Sequence, residues 1–394
     1  MSKLDELIQE LCPDGVEFCP LEQCCNILDR KRKPVTKSAR EAGDYPYYGA
    51  NGIQDYVSDY IFDGTFILVG EDGSVITDRG TPVVTWASGK IWVNNHAHII
   101  EESGDVLLRY LYHYIQTIDV SPLIHGNIPK LTGGDFKALQ IPVPPLPVQR
   151  EIVRILDNFT ELTAELTAEL TARKQQYMYY RDKLLTFENF TEWRTLDDII
   201  VSLNTGLNPR QFFKLNSDDA HNYYVTIREI QNGTIVVSDK TDRINDDALR
   251  LCNNRSNLEV GDVLFSGTGT IGETAVISEP PTNWNIKEGI YVIKPRKEVL
   301  YSRYLMYILR TDALRSAIFK KVAGGTVKSI PMAEMRNLRV PVPSLKIQKR
   351  LVEVLDNFDT LCTDLSSGLP AEIEARQKQY EYYRDKLLSF EEKI

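Results

Sequence analysis

The sequence predicts an α+β protein: two mixed α/β domains joined by two long antiparallel coiled-coil helices, with a pseudo-twofold internal repeat. Three observations carry this. The chain is written twice, each half ends in a long amphipathic stretch free of strand signals, and each half begins with short strand-like runs separated by glycine-rich turns. The repeat is plainest where IPVPPLPVQREIVRILDNF from Ile141 answers VPVPSLKIQKRLVEVLDNF from Val340. ARKQQYMYYRDKLLTFE from Ala172 likewise answers ARQKQYEYYRDKLLSFE from Ala375. Looser correspondences fill the rest: GTFILVGEDGSV with GDVLFSGTGTIG, and RYLYHYI with RYLMYIL. The resulting division is an N-terminal segment and first domain over 1–147, a central spacer helix over 148–188, a second domain over 189–346 and a C-terminal spacer helix over 347–394.

At 394 residues and 42% hydrophobic content the chain suits two domains with real cores. It has no apolar run of about 18 residues and no secretory core at its start, so the expectation is a cytoplasmic protein with no membrane span. The formal net charge of −9 argues mildly against a nucleic-acid binder but permits local basic patches. Six cysteines, Cys12, Cys19, Cys24, Cys25, Cys252 and Cys362, form no C-x-x-C pair. His96 and His98 have no ligand cluster beside them in the sequence, so no metal site is expected and free thiols are the better reading.

In the first domain, residues 65–69, 83–86 and 91–93 read as strands and 106–116 as a helix. In the second, the strands are 225–227, 234–237, 263–265 and 290–293, with a helix over 300–319. Together they imply a twisted, mainly antiparallel sheet with one or two helices in each domain. Pro142, Pro144, Pro145 and Pro147 mark where the first domain ends. No glycine or proline interrupts the next 40 positions, so a helix of roughly 60 Å is expected. Its apolar stripe includes Ile155, Phe159, Leu162, Leu166 and Leu170, and the second spacer offers Val354, Phe358, Leu361 and Leu365. These stripes bury best against each other. Ser366, Ser367, Gly368 and Pro370 predict a break near Gly368 and a fresh helix around Pro370. The first spacer carries TAEL at 163–166 and again at 167–170, a unit whose copy number sets helix length.

The loops hold the readable chemistry. Arg30, Lys31, Arg32 and Lys33 precede Tyr45, Tyr47, Tyr48 and Asn51, and Trp92, Asn94, Asn95 and His96 come later in the same domain. Cations suit phosphates, while flat and amide side chains suit bases. In the second domain Asn204, Thr205 and Arg210, then Ser266, Thr268 and Thr270, then Lys287 are comparable. The glycine-rich loops over 126–130, with Asn127 and Lys130, and over 324–328, with Thr326 and Lys328, suit a close backbone approach. Each residue alone reads equally as a solvated loop position; as a group they point to DNA. Gly267, Gly269 and Gly272 spell G-x-G-x-x-G, but a strand-like run comes next where a dinucleotide site needs a helix.

PLPVQREIVRILDNFTELTAELTAEL, ARQKQYEYYRDKLLSF and WVNNHAHII resemble the specificity subunits of type I restriction-modification systems, and the TAEL units resemble the type IC subgroup. The resemblance covers essentially the whole chain and is specific in the spacers. It implies two target recognition domains, each reading one half of a bipartite, asymmetric site in double-stranded DNA. It also implies two methyltransferase subunits and two restriction/translocase subunits as partners, with S-adenosylmethionine, ATP and Mg2+ bound by those partners and no cofactor in this chain. In keeping with a non-catalytic subunit, the sequence has no G-x-x-x-x-G-K-[ST] loop and no N-P-P-[YF] tetrapeptide, since Arg210 comes directly after Asn208–Pro209. The competing readings are a coiled-coil adaptor for protein partners and the recognition module of a DNA methyltransferase. The second spacer has SSGLP where the first has TAEL, so the two helices are not equivalent rulers.

Overall fold

The structure, a computed structural model, describes residues 2–73, 75–187, 191–325, 327–363 and 368–393. It divides into two compact units, Met1–Leu166 with Ile373–Ile394, and Thr167–Glu372. These cross the divisions read from sequence because the spacer ends belong to the domain cores. Val148, Ile152 and Leu156 are buried with Tyr380 and Leu388 in the first unit; Val352 and Leu355 are buried with Leu185 in the second.

The first unit carries a six-stranded sheet in the order Cys25–Ile27, Ala97–Glu102, Phe62–Gly70, Val84–Val93, Ala42–Gly49, Gly52–Val57. Its pairings are antiparallel except where Tyr47 and Tyr48 run parallel to Trp92 and Val93. The run FILV in Phe62–Gly70 is continuous because the strand is covered on both faces. Ile67 and Val69 meet the helix Leu108–Ile115, while Phe66 and Leu68 pack with Ile91 and Ile99. The two short strands expected at 83–86 and 91–93 form one strand, Val84–Val93, paired along its length with Phe62–Gly70.

The second unit has an antiparallel four-stranded sheet, Ile200–Thr205, Ile290–Pro295, Val263–Ser266, Thr274–Val276. Beside it stands a three-stranded sheet, Arg243–Ile244, Asn222–Val225, Trp284–Ile286. The helix expected over 300–319 is two helices, Ser302–Leu309 and Asp312–Phe319. Thr311 divides them: its extended backbone ends the first, and its hydroxyl caps Leu314 N–H at the start of the second.

The first spacer is a single helix, Leu146–Leu184, 39 residues long, with Pro147 in its first turn where a missing N–H costs nothing. The second is Leu345–Thr363 and then Leu369–Leu387. A new helix begins beside Pro370 as expected, and residues 364–367, where the break falls, lie outside the described residues. Within the first unit Ile155 and Phe159 pack on the core, and Phe159 stacks on Tyr383 with ring centroids 5.3 Å apart. Within the second, Phe358 stacks on Tyr180 at 6.3 Å. Leu166 and Leu170 are half-buried. Leu162 and Val354 are turned to solvent, 45% and 39% exposed, because Leu351, Val352 and Leu355 form the inward stripe of the second spacer. Leu365 and the side chain of Leu361 lie outside the described residues.

Each domain is fastened to its spacer by the same fittings. Gln149 is fully buried; its carbonyl accepts Leu107 N–H, and its amide donates to the Asp105 and Pro144 carbonyls. Gln348 repeats this with Tyr301, Val299 and Pro343. Arg109 donates to Asp157 at 2.7 Å, as Arg303 donates to Asp356 at 2.6 Å. One position differs. His113 bridges Asp157 and the Tyr380 hydroxyl, both at 2.9 Å. Its counterpart Tyr307 donates only to Asp356, and the buried Tyr177 hydroxyl finds no hydrogen-bond partner among the described residues.

Burial holds His113 below the ordinary histidine value of 6.5 despite the carboxylate beside it. Unfolded histidine takes up its proton near that value while the folded one does not, so the folded state loses stability as pH falls through it. His113→Tyr, copying the second joint, is expected to lose less of its melting temperature than the parent chain between about pH 7.5 and about pH 5.5. Equal losses in the two proteins would remove His113 from the account.

Candidate nucleic-acid interface

In the first unit the predicted residues separate into those that build a loop and those it displays. Arg30, Lys31 and Lys33 are exposed. Arg32 turns inward, donating to Glu71 and to the Ala97 carbonyl at 2.6 Å each and to the Asp29 carbonyl at 2.9 Å. The indole of Trp92 donates to the Lys33 carbonyl at 2.7 Å and so pins the other end of the basic run. Tyr47 is 1% exposed; its hydroxyl meets the Val35 backbone, and Arg40 lies 4.1 Å over its ring. Tyr48 is buried in the sheet, and Tyr45 is half-buried beside Tyr60. Asn94 is also buried, donating to Gln54 and accepting His96 N–H. Arg32, Tyr47, Tyr48 and Asn94 are therefore framework rather than a displayed surface. Asn51, Asn95, His96 and Asn127 are exposed, with His96 paired to Asp72. Lys130 reaches Glu71 at 3.2 Å, so the basic run and the 126–130 loop converge on one carboxylate.

That convergence also supplies the neighbours that the sequence hid from His98. Asp29, Glu71 and His98 bring ligand-type atoms within 4.8 Å of one another. The Asp29 carboxylate takes His98 Nδ1 at 2.6 Å, and His98 Nε2 faces the Leu131 carbonyl at 3.1 Å. Arg32 and Lys130 balance the two carboxylates, so the charge is met from within the chain and the grouping reads as a buried polar anchor for the loop. The described cysteines are not part of this grouping, and burial pushes Cys24 and Cys25 up to about 11 and about 12, which makes them poor thiolate donors.

In the second unit a cleft of about 570 Å³ is lined by Arg228, Asp242, Thr268, Thr270, Lys287 and Val327, among others. Thr268, Thr270 and Lys287 were read from sequence; Arg228 was not, although T-x-x-E over Thr226 to Glu229 marks the capped turn that presents it. Arg228 is exposed and reaches Asp242 at 3.0 Å. Ser266 and Thr205 are buried, donating to the Thr270 and Ile290 carbonyls, and Asn204 donates to Ser256. Lys328 is exposed, while Thr326 and the side chain of Arg210 lie outside the described residues. The G-x-G-x-x-G residues form the turn between the paired strands Val263–Ser266 and Thr274–Val276, with no helix after them.

The two units share one backbone pattern. In the first unit Leu131 N–H donates to the Glu71 carbonyl and Gly73 N–H to the Pro129 carbonyl; in the second, Ile330 N–H donates to Gly267 and Gly269 N–H to Lys328. Each loop after a central strand is thus strapped by the loop that precedes the last short helix of its domain.

Comparison with known proteins agrees with this duplicated plan. The type I restriction modification DNA specificity domain matches residues 13–173 and again 191–375. A putative type I restriction enzyme specificity subunit of Haemophilus influenzae is 36% identical over 95% of this chain and 96% of its own. The type I restriction enzyme EcoR124I/EcoR124II specificity subunit of Escherichia coli is 35% identical, with 80% of each chain covered. The S subunit of a type I restriction-modification system from M. genitalium superposes with a TM-score of 0.53 at 14% identity, over 95% of this chain and 96% of that one. A chain from work on the assembly and conformational transition of the type I R-M system gives 0.57 at 15% identity, over 95% and 98%. At that identity the likeness speaks for the fold. The chain belongs to the type I restriction-modification specificity subunits.

Among the described residues, no helix is long and apolar enough to cross a membrane.

Proposed function

We infer that this specificity subunit binds double-stranded DNA at an asymmetric, bipartite target, each unit reading one half-site. The observation that carries the reading is a shared framework, with the same fittings and strap in both units, dressed with different exposed polar side chains at corresponding loops. The antiparallel coiled coil is part of the proposal, supported by the stacked pairs Phe159–Tyr383 and Tyr180–Phe358 inside their respective units. The subunit scaffolds two methyltransferase subunits and two restriction/translocase subunits in the cytoplasm. Methylation with S-adenosylmethionine, and cleavage with ATP and Mg2+, belong to those partners, and this chain holds no cofactor of its own.

The test is methylome sequencing of cells expressing the chain with its neighbouring methyltransferase subunit. A new methylated-adenine motif in two unlike halves around a constant gap supports the reading; a stable complex that leaves no motif points to the adaptor instead. A second expectation concerns the cleft cations. Arg228→Ala with Lys287→Ala should weaken binding across sequences and flatten the log–log salt dependence by about 0.9 for each phosphate contact removed. An unaltered slope would place both side chains off the DNA.

A further inference from the structure

The strap shared by the two units ends in an aliphatic side chain that the protein leaves uncovered. Counting back along the matched hydrogen bonds, Leu131 corresponds to Ile330, Pro129 to Lys328, and Ile128 to Val327. Ile128 is 69% exposed and Val327 61%. A single exposed aliphatic is ordinary on any surface. The same position exposed twice, in two domains whose loops otherwise diverge, is not. Each tip also carries a glycine with positive φ, although by the same count Gly126 answers Gly325 rather than Gly324, and the hairpin closed by Ala323 and Ser329 is one residue longer than that closed by His125 and Lys130. Gly126 at φ +85° would bring a Cβ within 3.3 Å of the Ile128 carbonyl, and Gly324 at φ +113° within 2.4 Å of the Val327 carbonyl. A glycine with positive φ thus folds each loop tightly onto the carbonyl of its aliphatic residue.

The surroundings decide what the tip meets. Val327 borders the cleft that Arg228, Thr268, Thr270 and Lys287 line. Ile128 stands two residues from Lys130, which shares Glu71 with Arg32, a member of the basic run 30–33. An apolar group set beside charged and hydroxyl side chains, with Asp242 and Glu288 also in the Val327 cleft, does not suit an apolar protein partner. It suits a polyanion that itself carries an apolar feature, and in the major groove of DNA that feature is the 5-methyl group of thymine.

We propose that Ile128 and Val327 are specificity-determining residues, each placing its aliphatic side chain against a thymine methyl group in the half-site its domain reads. This rests on the DNA-reading function inferred above. The strap's backbone hydrogen bonds do not use the aliphatic side chain itself, so that side chain can change without breaking the bonds that present it.

The experiment uses the full chain assembled with its methyltransferase subunit, and duplexes carrying the motif found by methylome sequencing. Each thymine in turn is replaced by deoxyuridine, which removes only the methyl group. One replacement in each half-site is expected to weaken binding about fourfold. Ile128→Ala should weaken binding to the thymine duplex by the same factor, add nothing on the corresponding deoxyuridine duplex, and leave the other half-site unaffected. Val327→Ala should do the same in the other half. Ile128→Val and Val327→Ile should retain discrimination, and the salt dependence should not change, because an apolar contact releases no counterions. Wild-type affinity in both alanine variants, multiplying effects of variant and deoxyuridine, or half-sites without thymine would each overturn the proposal. Failure of the parent complex to methylate any motif would instead overturn the DNA-reading function beneath it.

Discussion

Deleting residues 163–166 from the first spacer is expected to change the gap between the two half-sites by one to two base pairs while leaving both half-sequences as they are. The helix Leu146–Leu184 runs unbroken through both TAEL units. Four residues therefore shorten it by about 6 Å and rotate the chain beyond the deletion by about 40°. On DNA, 6 Å is a little under two base-pair steps at about 3.4 Å each. Little core is lost, since residues 161–172 are exposed or half-buried and the buried positions Val148, Ile152, Leu156 and Leu185 lie outside them. Methylome sequencing of the deletion reads the gap directly. An unchanged gap with active methylation would sink the ruler.

A chain ending at residue 189 is expected to pair with a second copy of itself and direct methylation to a symmetric motif, the first half-site written twice. The first unit needs a helix over its joint that brings a tyrosine to His113 and a tyrosine to Phe159, the parts played by Tyr380 and Tyr383. Residues 172–184 offer nearly the same sequence, with Tyr177 and Tyr180 at those places. Light scattering should give a dimer, and the motif should become palindromic. A folded monomer would show that the two spacers are not interchangeable. Phe159→Ala in the same short chain removes a stacked ring from the pairing surface and should cost about 3 kcal/mol or more of the dimer's stability.

The duplication, both spacers and most strands were legible because they rest on periodicity and repetition, which need no knowledge of direction. Facing was not legible. Tyr47, Tyr48 and Asn94 have residue types that suit bases, yet all three are buried, the tyrosines side by side in a strand covered on both faces and Asn94 just beyond a strand end, and alternation cannot show which face is the core when both are covered. Arg32 reads as one of four adjacent cations until Asp29 and Glu71, the latter 39 positions away, claim it. Asp29, Glu71 and His98 were separated by sequence and joined by the sheet. Leu162 and Val354 matched the helical spacing but fell outside the stripe, whose buried positions Ile152, Leu156, Val352 and Leu355 belong to the domain cores. Thr311, a helix-breaking cap, was hidden inside a run with helical periodicity on both sides.

A buried glutamine, an arginine–aspartate pair and a tyrosine from the opposite spacer recur at both places where a domain meets its scaffold. Such a fitting is indifferent to what the domain reads. A new recognition surface can arrive as a cartridge, seated by the same few groups, without any retuning of the frame. The Tyr177 hydroxyl has no hydrogen-bond partner among the described residues; a domain bearing histidine there, as the first one does for Tyr380, would satisfy it better than the domain now in place.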